Sequence, residues 1–315
     1  MAIHLFVAID LFVAMNYNGI SVVNLDARQQ DIERIPRDLS DRDYQCADQR
    51  DDGKVDLDWD DDHVLPPKVY PDIAHLFRKM TTVTLGAVAV VEQELVLDIG
   101  CGRAVDAIEL AMKGGRCSGL EPSGKMISHA RQHIGQNGPV VNLARGVSAR
   151  LPFKSNSFDK VVCKGALDHF CHPDEAIAEM ARVLKPQGRA VIATANFESL
   201  GFRAGRRLFS LMRFLRREKV DDGRFWQIPN DHTIKLDYGT VKRLVRPHFR
   251  IERAVGISLL VGLPGWSSLL DRLPGRVSSM SLTALDGLAR CLPSLSDVIV
   301  MRCVPRGKST SSSAG

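Results

Sequence analysis

From residue 94 to residue 195 the chain alternates short apolar runs with stretches of helical period, and few folds accept that rhythm. Runs at Glu94–Ile99, Arg116–Glu121, Val140–Ala144, Asp159–Cys163 and Arg189–Ala195 predict five strands. Helical spacing over Ala104–Lys113, Gly124–Ile134 and Asp174–Leu184 fills the gaps. Pro173 and Asp174 open the last of these helices, and a Lys185-Pro186-Gln187-Gly188 turn is expected to close it. Such alternation implies a mostly parallel sheet with right-handed crossovers and helices on both faces. Sheets of this kind take ligands at the carboxyl ends of their strands.

The flanks read differently. Residues 1–65 hold fifteen acidic and six basic residues, net −9, in a chain whose formal charge is +5, so the remainder carries +14. Their polar, acidic part, without strand or helix period, is expected to be a disordered leader, ending at Pro66-Pro67. The folded domain is then 66–305, with a weak helical pattern over Val69–Met80 and a 306–315 tail expected to be disordered. Two insertions, at about 200–232 and 257–295, are expected to cap it. A helix near Asp237–Val245, a strand near Phe249–Val255 and a final strand, "DVIVMR" at 297–302, complete the pattern.

Seven scattered cysteines without a CxxC pair argue against a disulfide framework or a zinc site and for a reducing compartment. No metal is expected. The apolar N-terminus lacks a basic n-region and Asp10 interrupts it, which argues against a signal peptide. No apolar run reaches the roughly 18 residues of a membrane span. A cytoplasmic protein is the expectation.

The chemistry concentrates at "LVLDIGCGRAVDAIEL". The first strand delivers Asp98, and Gly100 and Gly102 let the backbone turn sharply and approach a ligand without Cβ clashes. The second strand ends at Glu121, where an acid can accept hydrogen bonds from ribose hydroxyls. Dinucleotides and S-adenosylmethionine both use this layout. A pyrophosphate normally demands a third glycine, and Ala104 or Val105 falls near that place here. A cofactor without phosphates does not demand it.

Four stretches, "LVLDIGCGRAVDAIELA", "GLEPSGKMISHAR", "ARLPFKSNSFDKVVCKGALDHF" and "DEAIAEMARVLKPQGRAVIAT", resemble the successive motifs of class I S-adenosylmethionine-dependent methyltransferases. The resemblance is to the type-11 group, which includes the ubiquinone and menaquinone biosynthesis methyltransferases, and covers about residues 70–200. It implies a Rossmann-like α/β fold: a seven-stranded, mostly parallel sheet with an antiparallel last strand. It also implies that Asp98, Gly100, Cys101 and Gly102 line the methionine end of S-adenosyl-L-methionine. Glu121, with Pro122 after it, would hold the ribose, and Met126 would pack near the adenine. Val147 stands where the family commonly has an acid bonded to the adenine amino group, so the backbone of Ser148 and apolar packing would serve instead. Lys164 falls where the family contacts the cofactor mostly through backbone.

Methyl transfer from a sulfonium needs alignment and exclusion of water, and a general base only if the acceptor arrives protonated. The candidate base is His169 in "GALDHFCHP", with Asp168 and His172 beside it and His232 as an outlying alternative. Residues 203–219 are basic and amphipathic: a cap helix over the site, or a contact with anionic lipid headgroups at a membrane surface. Nucleic acid is not an expected partner, for lack of a base-stacking platform. The apolar 257–295 segment is expected to wall a pocket for a small apolar, lipid- or quinone-like substrate; ordinary core and a homodimer interface stay open. Two other functions also stay open: a nicotinamide-linked oxidoreductase and a non-catalytic methyltransferase-like binding or regulatory subunit.

Overall fold

The computed structural model describes residues 55, 57–61, 68–216 and 234–306. Its centre is a seven-stranded sheet in the order β3-β2-β1-β4-β5-β7-β6. The strands are β1 (Leu95–Ile99), β2 (Arg116–Glu121), β3 (Asn142–Arg145), β4 (Phe158–Lys164), β5 (Leu184–Ala195), β6 (Phe249–Ile257) and β7 (Val298–Pro305). β1 pairs in parallel with β2 and β4, and β7 runs antiparallel to both β5 and β6. The last strand is therefore the reversed one, as the resemblance implies. The strand order turns outward from β1 in both directions, which puts the switch point between β1 and β4.

Among the described residues eight helices accompany the sheet: α1 (Pro71–Val88), α2 (Val105–Met112), α3 (Gly124–Asn137), α4 (Pro173–Val183), α5 (Leu200–Arg216), α6 (Tyr238–Val245), α7 (Trp266–Arg272) and α8 (Gly275–Cys291). The sheet alternates its side chains between two cores. Val96, Val162, Val191, Ala193, Val298 and Val300 face α1 and α2. Leu97, Val161, Cys163, Ile192, Ile299 and Met301 face α4 and α6. Period-2 alternation with both faces apolar is the pattern of a sheet buried on both sides.

Three local expectations change. First, α1 runs eight residues past Met80, to a left-handed Ala89. Its second half, "TTVTLGAV", is poor in helix formers, but Thr84, Leu85 and Val88 are buried, and tertiary packing overrides propensity. Second, Lys185–Gly188 are not a turn between helix and strand. Leu184 pairs with Phe158 and Arg189 with Lys160, so these four residues bulge out within β5. Third, the acidic segment does not stop short of the fold at residue 65: residues 57–61 are seated on it, as shown below.

Within residues 257–295, α8 buries Ser278, Leu282, Asp286 and Ala289, and packs on β6 and α1. The opposite side of α8 leaves Val277, Met280 and Leu288 exposed. Residues 1–54, His232 and the 307–315 tail lie outside the described residues.

Candidate active site

At the end of β1 the loop takes left-handed backbone at three alternate positions: Gly100 (φ +71°), Gly102 (φ +51°) and Ala104 (φ +60°). Two are glycines, as such conformations favour. The third position is thus not spared: Ala104 adopts the conformation a glycine would prefer, at a cost of about 1 kcal/mol, and buries its methyl in the core under α1. Gly100 must also be bare for space, because a Cβ there would sit 2.5 Å from the Ala166 Cβ. The loop is sewn to β2 by Gly100 and Cys101 N–H groups donating to the Leu120 carbonyl at 2.9 and 3.1 Å. The Cys101 thiol turns onto Gly119, where a Cβ would lie 2.6 Å from Sγ. Cys101 therefore offers a ligand only backbone.

Glu121 closes the other side of the loop. Its Oε2 accepts the Gly102 N–H at 3.2 Å and its Oε1 the Ser123 N–H at 3.0 Å. Glu121 is 7% exposed. Burial pushes it up to about 7, against the pull of those two amides, and the neighbouring charge of Asp61 pushes the same way. Asp98 is also buried at this edge. A carboxylate held uncomfortably at a strand end can gain from hydroxyl donors.

Pro122, Met126, Val147 and Ser148, which the resemblance implies for the adenosine side, lie around the same strand end. Pro122 offers its carbonyl to Arg145 Nε at 3.0 Å, and Ser123 Oγ caps α3 by accepting the Met126 N–H at 3.3 Å. Met126 is buried. The Gly146 N–H donates to the Glu121 carbonyl at 3.2 Å, which sets half-buried Val147 and Ser148 beside the same strand end. Lys164 departs from this group. Its Nζ reaches Asp106 Oδ1 at 2.8 Å and Thr81 Oγ1 at 3.0 Å, a buried pair that ties β4 to α2 and α1. That leaves its backbone for the contact the resemblance implies.

His169 ends a short 3₁₀ turn, Leu167–His169, after β4, with its N–H on the Ala166 carbonyl at 3.0 Å. Asp168 beside it is buried, and its carbonyl receives the Ile234 N–H at 3.4 Å. His172 stands at the N-cap of α4 without a side-chain cap bond, and Pro173 follows it.

The sequence reading missed what lies across these loops. Leu57 accepts the Gly124 N–H at 3.0 Å, and the Trp59 carbonyl accepts Ser123 Oγ at 2.6 Å. Arg103 grips Asp61 with Nε at 2.8 and 3.0 Å from its two oxygens. The Trp59 ring lies 6.3 Å from that of His169, tilted by 51°. A tryptophan and a leucine among aspartates were the available signal, since acidic disordered tracts are poor in aromatics.

The comparisons with known proteins point the same way. Residues 97–192 match the family model of a methyltransferase domain. Over this segment the chain is similar to the type-11 methyltransferases. A Mycobacterium sp. demethylmenaquinone methyltransferase is 36% identical over 35% of this chain and 45% of its own length. A Dechloromonas aromatica ubiquinone biosynthesis O-methyltransferase is 30% identical over 32% and 44%. The Bacillus subtilis protein YcgJ, an uncharacterised methyltransferase, is 34% identical over 31% and 39%. Its crystal structure superposes with a TM-score of 0.46 at 17% identity, covering 72% of this chain and 96% of that one. The chain thus spans less than half the length of these curated relatives. Among the described residues no cluster of side chains could hold a metal, and no helix is long and apolar enough to cross a membrane.

Proposed function

We propose that the protein is an S-adenosylmethionine-dependent methyltransferase acting on a small apolar acceptor of lipid or quinone type. The observation that carries this reading is the buried carboxyl of Glu121 set against the bare Gly100–Gly102 backbone. The donor set fits this cofactor. Glu121 suits the ribose hydroxyls, and the loop admits a chain of atoms close to its backbone. Asp98 and Glu121 are the acids at this edge, and the Arg103 cation is neutralised by Asp61. Such a field favours a cationic sulfonium and opposes a pyrophosphate. The nicotinamide reading is weaker for that reason.

When bound, the cofactor supplies a methyl group activated on sulfur, with a neutral leaving group. The chain's own task is to hold and orient. Asp98, Gly100, Cys101 and Gly102 present backbone and one carboxylate to the methionine end; Glu121 and Pro122 position the ribose; Met126, Val147 and Ser148 bound the adenine; Lys164 contributes backbone. His169 stands after β4 at the same edge. It would accept the proton of a phenol or enol as the acceptor oxygen or carbon attacks, holding it at the imidazole.

The acceptor class rests on the named relatives and on the apolar insertions. Contact with anionic lipid surfaces through residues 203–219 belongs to the same reading. Arg203, Arg206 and Arg207 line a shallow groove with Glu198 and Ser210, and Leu208 and Leu211 stand exposed next to it. Residues 217–219 lie outside the described residues. Transfer of radiolabelled methyl to a panel of demethylated quinols, phenols and lipids tests the proposal. Labelled product is expected from the quinol or phenol arm. Cofactor binding without transfer to any member would favour a non-catalytic binding subunit.

A further inference from the structure

We propose that residues 57–61 are a wall of the methyl-donor site, with Asp61 as the pin that holds them and Trp59 as the face turned toward His169. The inference rests on the methyl-donor reading above. It comes from where the segment is anchored. Its hydrogen bonds go to the two loops that carry the donor-site residues: Arg103 follows Gly102, and Ser123 and Gly124 follow Glu121. The Leu57 carbonyl satisfies a helix N-terminal N–H of α3 that has no partner within the helix. Ser123, which caps the same helix, donates its hydroxyl to Trp59.

Asp61 is 1% exposed and sits in a two-pronged grip with Arg103. Ions are held out of water only where such geometry compensates their desolvation. Asp61 also burdens the site, because its charge opposes ionisation of Glu121. A ligand that brings hydroxyl donors to Glu121 and a positive charge nearby relieves that burden. Ligand and segment then stabilise each other, and linkage makes the effect reciprocal. Removing the pin weakens the ligand, and adding the ligand tightens the segment. Asp61 is a positioning residue in this account, acting through Arg103 and the Gly102 loop.

The experiment uses the full chain and sinefungin, an S-adenosylmethionine analogue that carries a protonated amine in place of the sulfonium and transfers no methyl. In the wild type, ligand should slow amide hydrogen exchange of residues 57–61 at least tenfold. Asp61→Asn should weaken binding at least tenfold, mainly through faster dissociation in stopped flow, and, because it leaves Arg103 without its carboxylate, should also lower the melting temperature of the free protein. Asp61→Glu should recover part of the loss, which a merely structural role would not require. Should Asp61→Asn fail to fold, Trp59→Phe, with its smaller ring facing His169, should still raise the dissociation rate severalfold. A wild type that binds the ligand with no change in exchange at 57–61, and an Asp61→Asn protein that binds equally well, would overturn the wall and leave the donor reading standing. A wild type that binds no ligand would overturn both.

Discussion

Glu121→Gln separates what the site costs the fold from what it does for a ligand. In the folded protein the Glu121 carboxyl is raised from 4.5 to about 7 by burial. In the unfolded chain it titrates near its ordinary value, so between those pH values the folded state holds a proton that the unfolded state has released. Stability from this group is complete below pH 4.5 and is lost as pH rises through 7. At about 1.4 kcal/mol per pH unit, the raise amounts to roughly 3 kcal/mol. Glutamine cannot ionise, so the variant escapes this loss. Its amide also puts an N–H₂ near the Gly102 or Ser123 donor, a penalty of about 1–3 kcal/mol that does not vary with pH. Asp297, buried just before β7 and likewise raised to about 7 by burial, titrates in both proteins and cancels in the comparison. Urea unfolding from pH 4.5 to pH 8 is the assay. The wild type should lose about 3 kcal/mol relative to the variant over that range, while the variant binds S-adenosylmethionine at least tenfold more weakly at pH 8. Parallel stability curves for the two proteins would refute the reasoning, since they would mean that Glu121 ionises freely.

Other substitutions probe the frame around the site. Gly100→Ala combines left-handed backbone with a Cβ 2.5 Å from the Ala166 Cβ; a loss of about 2–4 kcal/mol in denaturant unfolding is expected, with cofactor binding abolished. Lys164→Met strands Asp106 in the core and should cost about 3–5 kcal/mol, whereas the Lys164→Met/Asp106→Leu double variant should recover most of it and keep cofactor affinity within a few fold. His169→Asn should lower kcat by about 10²–10⁴ for a hydroxyl acceptor, with the cofactor Kd unchanged by calorimetry, and should matter less as the acceptor's pKa falls.

The sheet was legible because its signal is redundant. Five strands and three crossover helices repeat one rhythm, and each strand's two buried faces come from the same run of residues. The placing of Asp98, Gly100, Gly102 and Glu121 at strand ends and in a tight turn was legible for a related reason: such positions restrict residue type locally. What was not legible depended on partners far away in the chain. The second half of α1 is helical because Thr84, Leu85 and Val88 are buried, which no local propensity reports. The bulge at Lys185–Gly188 reads as a turn until its β4 partner is known. That the Lys164 ammonium pairs with Asp106, 58 residues away, no local signal reports. Asp61 looks like one more acid in an acidic tract until Arg103 meets it, 42 residues on. The supposed gap in the glycine pattern also changed meaning. Ala104 keeps the backbone of the motif and spends its methyl in the core.

Isothermal titration of the free protein with S-adenosylmethionine and, separately, with NAD tests the central claim most directly. One-to-one binding of S-adenosylmethionine at micromolar concentration, tightening as pH rises toward 7, with no heat from NAD, is the expected result. Binding of NAD with no response to S-adenosylmethionine would contradict the account.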